Sequence, residues 1–363
     1  MTNDRLQSLD FLRGVAILCV ILFHTFIIFD PRIKAVSLLA AQGVYGVQLF
    51  FFVSSLTMCL KWRERSDEYR AFLKFYLRRF FRIAPPFWLA MIGYLSLNGT
   101  GPSSWSPTGI GLHQILLTAF FLHGFWPDAI NTIVPGGWSI AVEMTFYAIF
   151  PFLACINASS LTLMCVAFAV YLLNVAIAQP LLNVVFAGQD PTVMAGFIYF
   201  QFLNQAPVFL IGMAIFKLVT EEHQIPMPYI VLAVGWLALA FFLRGVLYIH
   251  SSPFFWLIVA ALAVSVLFCV SKDVSFRPID RIGQLSYSTY LTHFAIIQTV
   301  ETLFIALGLE LHSLAAFVSA LILTVALCYV CASLLEATVE KWSALAGRWL
   351  IFKMSRMTSP HYV

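Results

Sequence analysis

Charged side chains are scarce in this sequence. Only 10% of its 363 residues are Asp, Glu, Lys or Arg, while 61% are hydrophobic and 16% are aromatic. A soluble globular protein averages about 25% charged residues, so the composition excludes the ordinary soluble classes. The formal net charge is only +4, and we expect no nucleic-acid partner. The composition indicates a polytopic membrane protein.

Several common motifs are missing as well. The seven cysteines are odd in number, lie almost wholly in apolar segments and show no metal-ligand spacing, so we expect no metal site. The sequence has neither a Gly-rich phosphate loop nor an internal repeat. FDPRIK (29–34), and not a small-residue cleavage site, follows the first apolar segment. We therefore expect that segment to remain as the first membrane helix.

Long apolar runs predict an all-α polytopic bundle with about ten membrane-spanning helices. The runs lie near 10–29, 38–60, 82–98, 137–154, 160–178, 200–217, 228–246, 253–271, 283–307 and 313–335. One further run, GIGLHQILLTAFFLHGF (109–125), is shorter and carries two histidines.

The distribution of basic residues sets the orientation of these spans. Residues 61–82 hold eight Lys and Arg, which places this segment and the N-terminus in the cytoplasm. The basic segment 272–281 and the basic tail should also be cytoplasmic, which requires an even number of spans. We therefore predict ten spans, two cytoplasmic termini, and a re-entrant or interfacial segment near 109–125. We expect a membrane domain over residues 1–338 and a basic cytoplasmic tail over 339–363.

The first span, LDFLRGVAILCVILFHTF (9–26), carries Arg13 and His24. Eleven positions at 100° per residue bring the two onto one helix face, about 16 Å apart along the axis. Ionisable groups inside a membrane are costly and are functional candidates for that reason. Alternatively, Arg13 is a snorkelling anchor and His24 bonds structurally across helices.

A second polar stripe lies in the run that contains PGGWSIAVEMTFYAIFPF (135–152). Ser139, Glu143 and Tyr147 follow one another at i, i+4 spacing on one face of the predicted helix. In the ten-span topology, Glu143 lies at nearly the same depth as His24. A histidine and a carboxylate that meet in the membrane indicate a base and its orienting acid, or a structural buried pair.

Other polar residues have two possible roles. Gln48 lies near the middle of the second span, where it needs partners, and the pattern favours a structural hydrogen bond over ligand binding. The arginines of the basic segment either bind phosphates bidentately or only fix topology and contact anionic lipid. The segment RIGQLSYSTYLTHF (281–294) places His293 near mid-depth, as a further lining candidate. The arginines of residues 61–82 with these two possible roles are Arg78, Arg79 and Arg82.

Five ordered elements resemble the membrane-bound acyltransferase 3 family of bacterial envelope O-acyltransferases. They are LDFLRG with Arg13-x10-His24, GVYGVQLFFFVSS, FYLRRFFRIAPPFW, GGWSIAVEMTFYAIFP and IGQLSYSTYLTHF. The resemblance implies that acetyl is transferred from cytoplasmic acetyl-CoA to a hydroxyl of an extracytoplasmic glycan, at a bacterial inner membrane. This chain departs from the family at Gln48, where an Asp is usual. We expect no appended esterase-like domain.

The same resemblance assigns roles to residues. Arg13 and His24 match the catalytic pair, Glu143 matches the acid of a W-S-x-x-x-E pattern, and the three clustered arginines match the motif that meets CoA. We expect Gln48, Trp138, Ser139 and Tyr147 to line the substrate site. His24 would act as general base or carry the acyl group transiently, and Arg13 would guide CoA or stabilise an oxyanion.

The partners follow from this reaction. They are a carbohydrate acceptor, such as O-antigen or exopolysaccharide, and membrane lipids. The identity of the acceptor and the oligomeric state stay open. A competing hypothesis is a proton-coupled transporter or flippase, which would also place His24, Glu143 and Gln48 in the membrane.

Overall fold

A computed structural model describes residues 7–222 and 253–356, and in these residues all regular elements are helical. The helices in the first half are α1 (Gln7–Phe29), α2 (Lys34–Ala41), α3 (Gly46–Arg65), α4 (Ala71–Asn98), α5 (Leu112–Ala119), α6 (Trp138–Cys155), α7 (Ser160–Leu173) and α8 (Gln179–Val185). Those that follow are α9 (Pro191–Phe200), α10 (Phe202–Lys217), α11 (Pro253–Ser271), α12 (Arg277–Gln284), α13 (Ser286–Ala306), α14 (Leu314–Leu335) and α15 (Lys341–Arg356).

Seven helical segments of the described residues are long and apolar enough to cross a membrane, so the predicted all-α, multi-pass architecture is confirmed at that level. Each overlaps a predicted span. They are Gln7–Phe29, Lys34–Arg65, Ala71–Asn98, Trp138–Cys155, Ser160–Val185, Pro191–Thr220 and Leu314–Ser355. The total of ten and the orientation of the termini stay predictions.

The three remaining predicted spans have different outcomes. Residues 228–246 lie outside the described residues. The run 253–271 is helical, and within it Ile258–Ser271 is an apolar helix shorter than the seven candidates. The run 283–307 forms α13, but its Ser, Thr, Tyr and His side chains make it more polar than a typical span.

The additional run at 109–125 forms only short helices. Helix α5 has eight residues, and a 3-10 turn covers His123–Phe125. Eight residues extend about 12 Å at 1.5 Å per residue, which is less than half of the hydrocarbon thickness. Helix α5 alone therefore does not cross a bilayer, and the re-entrant or interfacial placement stays a prediction.

The chain forms two compact units. The first comprises Met1–Ala16, Val44–Leu60 and Thr100–Gly283, and the second comprises Ile17–Gly43, Lys61–Gly99 and Gln284–Val363. In the first unit α7 packs along α10. Its core includes Phe209, which stacks on Phe51 at 4.6 Å and on Phe146 at 4.2 Å between ring centroids.

Two glycines allow α1 and α12 to approach closely in the first unit. A Cβ atom on Gly14 would overlap the backbone carbonyl of Ile279, and one on Gly283 would overlap the carbonyl of Asp10. Glycine is needed at both positions because the neighbouring atoms belong to the backbone and cannot rotate away. This contact explains the glycine that follows Arg13 in LDFLRG.

In the second unit, α13 packs on α14, and α15 packs on α4. The residues expected to form a basic tail are therefore helical as far as Arg356, and Gly347 of α15 lies against the ring of Phe81. A π-helical segment, Glu336–Glu340, connects α14 to α15. The division at residue 338 stays a prediction.

We predict that Gly14→Ala destabilises the protein, because the new methyl group meets the backbone of Ile279. Overpacking of this kind costs about 1–3 kcal/mol. The matched control is Gly93→Ala inside α4, where no atom lies within 4 Å of the added Cβ and where alanine is favoured over glycine by about 1 kcal/mol. Thermal unfolding in detergent should shift down for Gly14→Ala and stay equal or rise for Gly93→Ala. Equal shifts for both variants would contradict the close approach.

Candidate functional site

His24 lies in the second unit, on the outer half of α1 by the predicted topology. Its side chain is half-buried. Its imidazole contacts two rings of α13, with centroid distances of 5.3 Å to His293 and 4.2 Å to Phe294. His293 itself is completely buried. The structure thus brings together the predicted base and a histidine that the sequence marked only as a lining candidate.

Arg13 lies on the same helix but within the first unit, where its guanidinium is held on two sides. Nη1 donates to Asp10 Oδ1 at 3.2 Å, and Nη2 donates to Thr57 Oγ1 at 2.5 Å. The Thr57 hydroxyl donates to the carbonyl oxygen of Val53 at 2.7 Å, so its lone pair faces Arg13. Asp10 and Thr57 are both buried. These contacts fix the guanidinium, and its predicted catalytic role stays a prediction.

Helix α6 carries four of the predicted site residues, all in the first unit. Trp138 is buried and stacks on Phe200 at 4.3 Å, which covers one face of its indole. The Ser139 hydroxyl donates to the carbonyl oxygen of Gly136 at 3.0 Å. Tyr147 shares a hydrogen bond of 2.8 Å with Ser54 of α3.

Glu143 lies between Ser139 and Tyr147 on α6 and is half-buried. It belongs to the first unit, and His24 belongs to the second. The pairing of this carboxylate with His24 therefore stays a prediction.

Gln48 is fully buried in a network of amides within the first unit. Its Nε2 donates to Gln205 Oε1 at 3.1 Å and to Tyr199 Oη at 3.3 Å. Gln205 Nε2 and Asn204 Nδ2 both donate to the carbonyl oxygen of Tyr199, at 2.7 and 2.8 Å. The network continues from Asn204 through Asn174 to Gln201.

The network fixes the orientation of the side-chain amides of Gln205 and Gln48, that is, the positions of the nitrogen and the oxygen of each amide. A backbone carbonyl can only accept, so Gln205 must turn its Nε2 toward Tyr199 and its Oε1 toward Gln48. Gln48 must then supply a donor, which an ionised aspartate does not have. This explains in physical terms why the chain can carry Gln at a position where the resembled family usually has Asp. Within the described residues, the Oε1 atom of Gln48 has no hydrogen-bond partner.

The three arginines expected to bind CoA lie on α4, in the second unit. Helix α4 begins at Ala71, so residues 71–81, which precede the predicted span at 82–98, are also helical. Arg78 Nη2 bonds Glu68 Oε2 at 2.5 Å. The Arg79 guanidinium lies 6.0 Å from the ring centre of Phe75, and Arg82 is exposed.

Glu68 also lies 3.6 Å from Lys74 Nζ. Burial raises the pKa of Glu68, but the hydrogen bond and charge of Arg78, with the charges of Lys74 and Arg65, outweigh it and hold the pKa below its usual value. The carboxylate is therefore ionised at neutral pH, and the ion pair is lost only when the pH falls through this lowered pKa. At neutral pH it competes for the arginine that a phosphate would bind.

Sequence reasoning did not identify Thr57, Tyr199 and Gln205 as partners of site residues. A signal was present for Gln205, because QFLNQAP (201–207) places three amides at the start of an otherwise apolar run. Thr57 carried no such signal, since a threonine in a membrane helix usually bonds its own backbone. In the described residues no group of three or more His, Cys, Asp or Glu could hold a metal ion.

Comparison with models of protein families gives a match. The model of the acyltransferase 3 family, described as an acyltransferase domain, matches residues 6–333. Neither the curated proteins nor the solved structures contain a significant match to this chain.

We predict that Gln48→Glu destabilises the protein. The carboxylate would face Gln205 Oε1, an acceptor that cannot turn away. Loss of the donor inside the bundle should cost about 1–3 kcal/mol. The control is Gln42→Glu, the same change at an exposed residue whose amide bonds only its own helix. A decrease in unfolding temperature for Gln48→Glu alone supports the network, and equal decreases for both variants would contradict it.

Proposed function

This chain belongs to the acyltransferase 3 family, and we propose that it is an integral-membrane O-acyltransferase that moves acetyl from cytoplasmic acetyl-CoA to a hydroxyl of an extracytoplasmic carbohydrate. The family match over residues 6–333 is the observation that carries the proposal. The seven apolar helices agree with a multi-pass protein that works between the two faces of a membrane.

His24 is the proposed general base. One ring nitrogen takes the proton of the acceptor hydroxyl while the hydroxyl oxygen attacks the thioester carbon of acetyl-CoA. The tetrahedral intermediate then collapses, the C–S bond breaks, and the proton passes from His24 to the departing thiolate. The products are an O-acetyl ester and CoA. Glu143 would orient the imidazole, and Arg13 would stabilise the oxyanion of the intermediate or guide the pantetheine arm.

The basic residues of α4 are the proposed site for the phosphates of CoA. Arg78 and Arg82 lie four residues apart on α4, so they share a helix face. The exposed guanidinium of Arg82 is accessible to an anion, and Arg78 is accessible once it leaves Glu68. Guanidinium groups bind phosphate bidentately, which suits them to the nucleotide end of CoA. The predicted topology puts this cluster in the cytoplasm, where acetyl-CoA is made.

The acceptor is proposed to be an envelope glycan such as O-antigen or exopolysaccharide, reached from the outer side of a bacterial inner membrane. Gln48, Trp138, Ser139 and Tyr147 are the proposed lining of its site. Two observations shape this proposal. The amide oxygen of Gln48 can accept a hydrogen bond, whereas the indole of Trp138 is covered on one face by Phe200. Gln48 thus keeps one free acceptor for a sugar hydroxyl that reaches it inside the bundle.

A transporter or flippase is the competing hypothesis. Both classes place ionisable residues in the membrane, but only the acyltransferase consumes acetyl-CoA. The family match favours the acyltransferase.

We predict that His24→Ala abolishes transfer because it removes the base, lowering kcat by about 10²–10⁴-fold. The assay measures release of free CoA from acetyl-CoA by the purified protein in detergent, with mass spectrometry of surface glycans from cells that carry each variant. The control is His312→Ala, which removes an exposed histidine and should leave activity unchanged. If His24→Ala retains full acetylation, His24 is not the base. If the wild type never releases CoA but moves a glycan across vesicles, the transporter hypothesis replaces the proposal.

We predict that Arg78→Gln raises the KM for acetyl-CoA by about tenfold, the loss expected for one charged hydrogen bond. Glu68→Gln should lower that KM, because it removes the carboxylate that competes for Arg78. Arg348→Gln, at an exposed arginine of α15, is the charge-matched control and should change little. Unchanged KM values for both Arg78→Gln and Glu68→Gln would exclude this cluster as the CoA site.

A further inference from the structure

We propose that His293 is the positioning residue of His24: its Nε2 accepts a hydrogen bond from the imidazole of His24, which fixes the tautomer of the base and stabilises its protonated form. The inference rests on the proposed function. It concerns two residues of one unit, and it gives the single N–H of the neutral His24 ring to His293 instead of Glu143.

The tautomer of His293 follows from its own hydrogen bond. Nδ1 lies 2.6 Å from the carbonyl oxygen of Tyr290. A carbonyl only accepts, so Nδ1 carries the proton, and Nε2 of the neutral ring is left with a lone pair. His293 is fully buried. Nε2 is thus an acceptor whose orientation is set by the backbone of α13.

This acceptor is unused within the described residues. Nε2 has no hydrogen-bond partner there, and a buried acceptor without a partner is unfavourable. A histidine that served only to bond Tyr290 would do so through Nδ1 alone and would gain nothing from Nε2. The orphaned atom is therefore available to a donor that arrives during the reaction cycle.

His24 is placed to supply that donor. The centroids of the two imidazoles are 5.3 Å apart. Two imidazoles joined by an N–H···N bond of about 2.9 Å have centroids roughly 5 Å apart, because each nitrogen lies on the rim of its ring. The separation of 5.3 Å thus fits such a bond once the half-buried His24 ring turns a nitrogen toward Nε2. Phe294 contacts both imidazoles, at 4.2 and 4.3 Å, and shields the pair from water.

The chemical consequence concerns His24 alone. Donating one N–H to His293 leaves the other nitrogen of His24 as the free base that faces the acceptor hydroxyl. When that nitrogen takes the hydroxyl proton, the His24 ring becomes an imidazolium. The hydrogen bond to His293 stabilises this positive charge, which lowers the cost of an imidazolium in an apolar bundle. His293 accepts a hydrogen bond and takes up no proton, so the proton still returns from His24 to the thiolate of CoA.

Two substitutions separate this role from a structural one. His293→Asn keeps a side-chain N–H near the position of Nδ1, and so keeps the bond to Tyr290, but has no atom at Nε2. His293→Gln extends an amide that can present its oxygen at the position of Nε2. We expect His293→Asn to lower kcat about 100-fold and His293→Gln to retain kcat within about tenfold. The KM for acetyl-CoA should stay unchanged in both, since neither residue touches the CoA cluster.

A structural role for His293 would give the reverse order, with Asn equal to or better than Gln, and this order overturns the inference. In the His24→Ala background, His293→Asn should have no further effect on kcat; an additional loss of the same size would also overturn it. The proposed function fails separately, if wild-type protein transfers no acetyl group.

A second measurement does not depend on transfer. Diethyl pyrocarbonate acylates an unprotonated imidazole nitrogen. The intact protein is treated with the reagent and then digested, and mass spectrometry of the peptides gives the rate of acylation at His24. His24 should react several-fold faster in the wild type and in His293→Gln than in His293→Asn, because the hydrogen bond makes its free nitrogen more basic. Equal rates in all three proteins would overturn the inference even if a variant were inactive through misfolding.

Discussion

A polar group inside an apolar helical bundle must find its hydrogen-bond partner within the protein, because lipid offers none. Much of the first unit is organised by this constraint. Arg13 is held between Asp10 and Thr57, and Gln48 is held by Gln205 and Tyr199. Asp10 lies on α1 with Arg13, whereas the other partners lie on a different helix from the residue they hold. The polar residues that look costly in the sequence therefore also determine which helices pack together.

The same constraint makes unsatisfied atoms informative. Within the described residues, His293 Nε2 and Gln48 Oε1 are buried acceptors without a partner. Both side chains are otherwise fixed by bonds to acceptors that cannot donate, so neither can rotate to relieve the deficit. A bundle that satisfies most of its polar groups leaves such atoms where a mobile side chain or a substrate completes the set. This is the physical basis for the proposals that His293 bonds His24 and that Gln48 contacts the acceptor.

The sequence was sufficient to predict that the apolar segments are helical and approximately where they lie in the chain. Seven predicted spans overlap helices long and apolar enough to cross a membrane, because hydropathy and length act locally. The predicted ends of the helices were less accurate: α4 begins at Ala71, well before the expected start of the span at residue 82. Residues 71–81 read as a loop by hydropathy, but they are helical. Hydropathy detects long apolar runs, and an extension of a helix that carries many charged residues does not register on that scale.

The sequence by itself determined the helical class, the apolar segments and the small set of polar residues worth examining, including Arg13, His24 and Glu143. These depend on composition and on a fixed rise and rotation per residue. Only the tertiary structure decided the partners: His293 beside His24, and Gln205 as the residue that forces Gln48 to donate. Such pairs lie more than 150 positions apart in the chain, and their geometry arises from helix packing, which no local periodicity encodes.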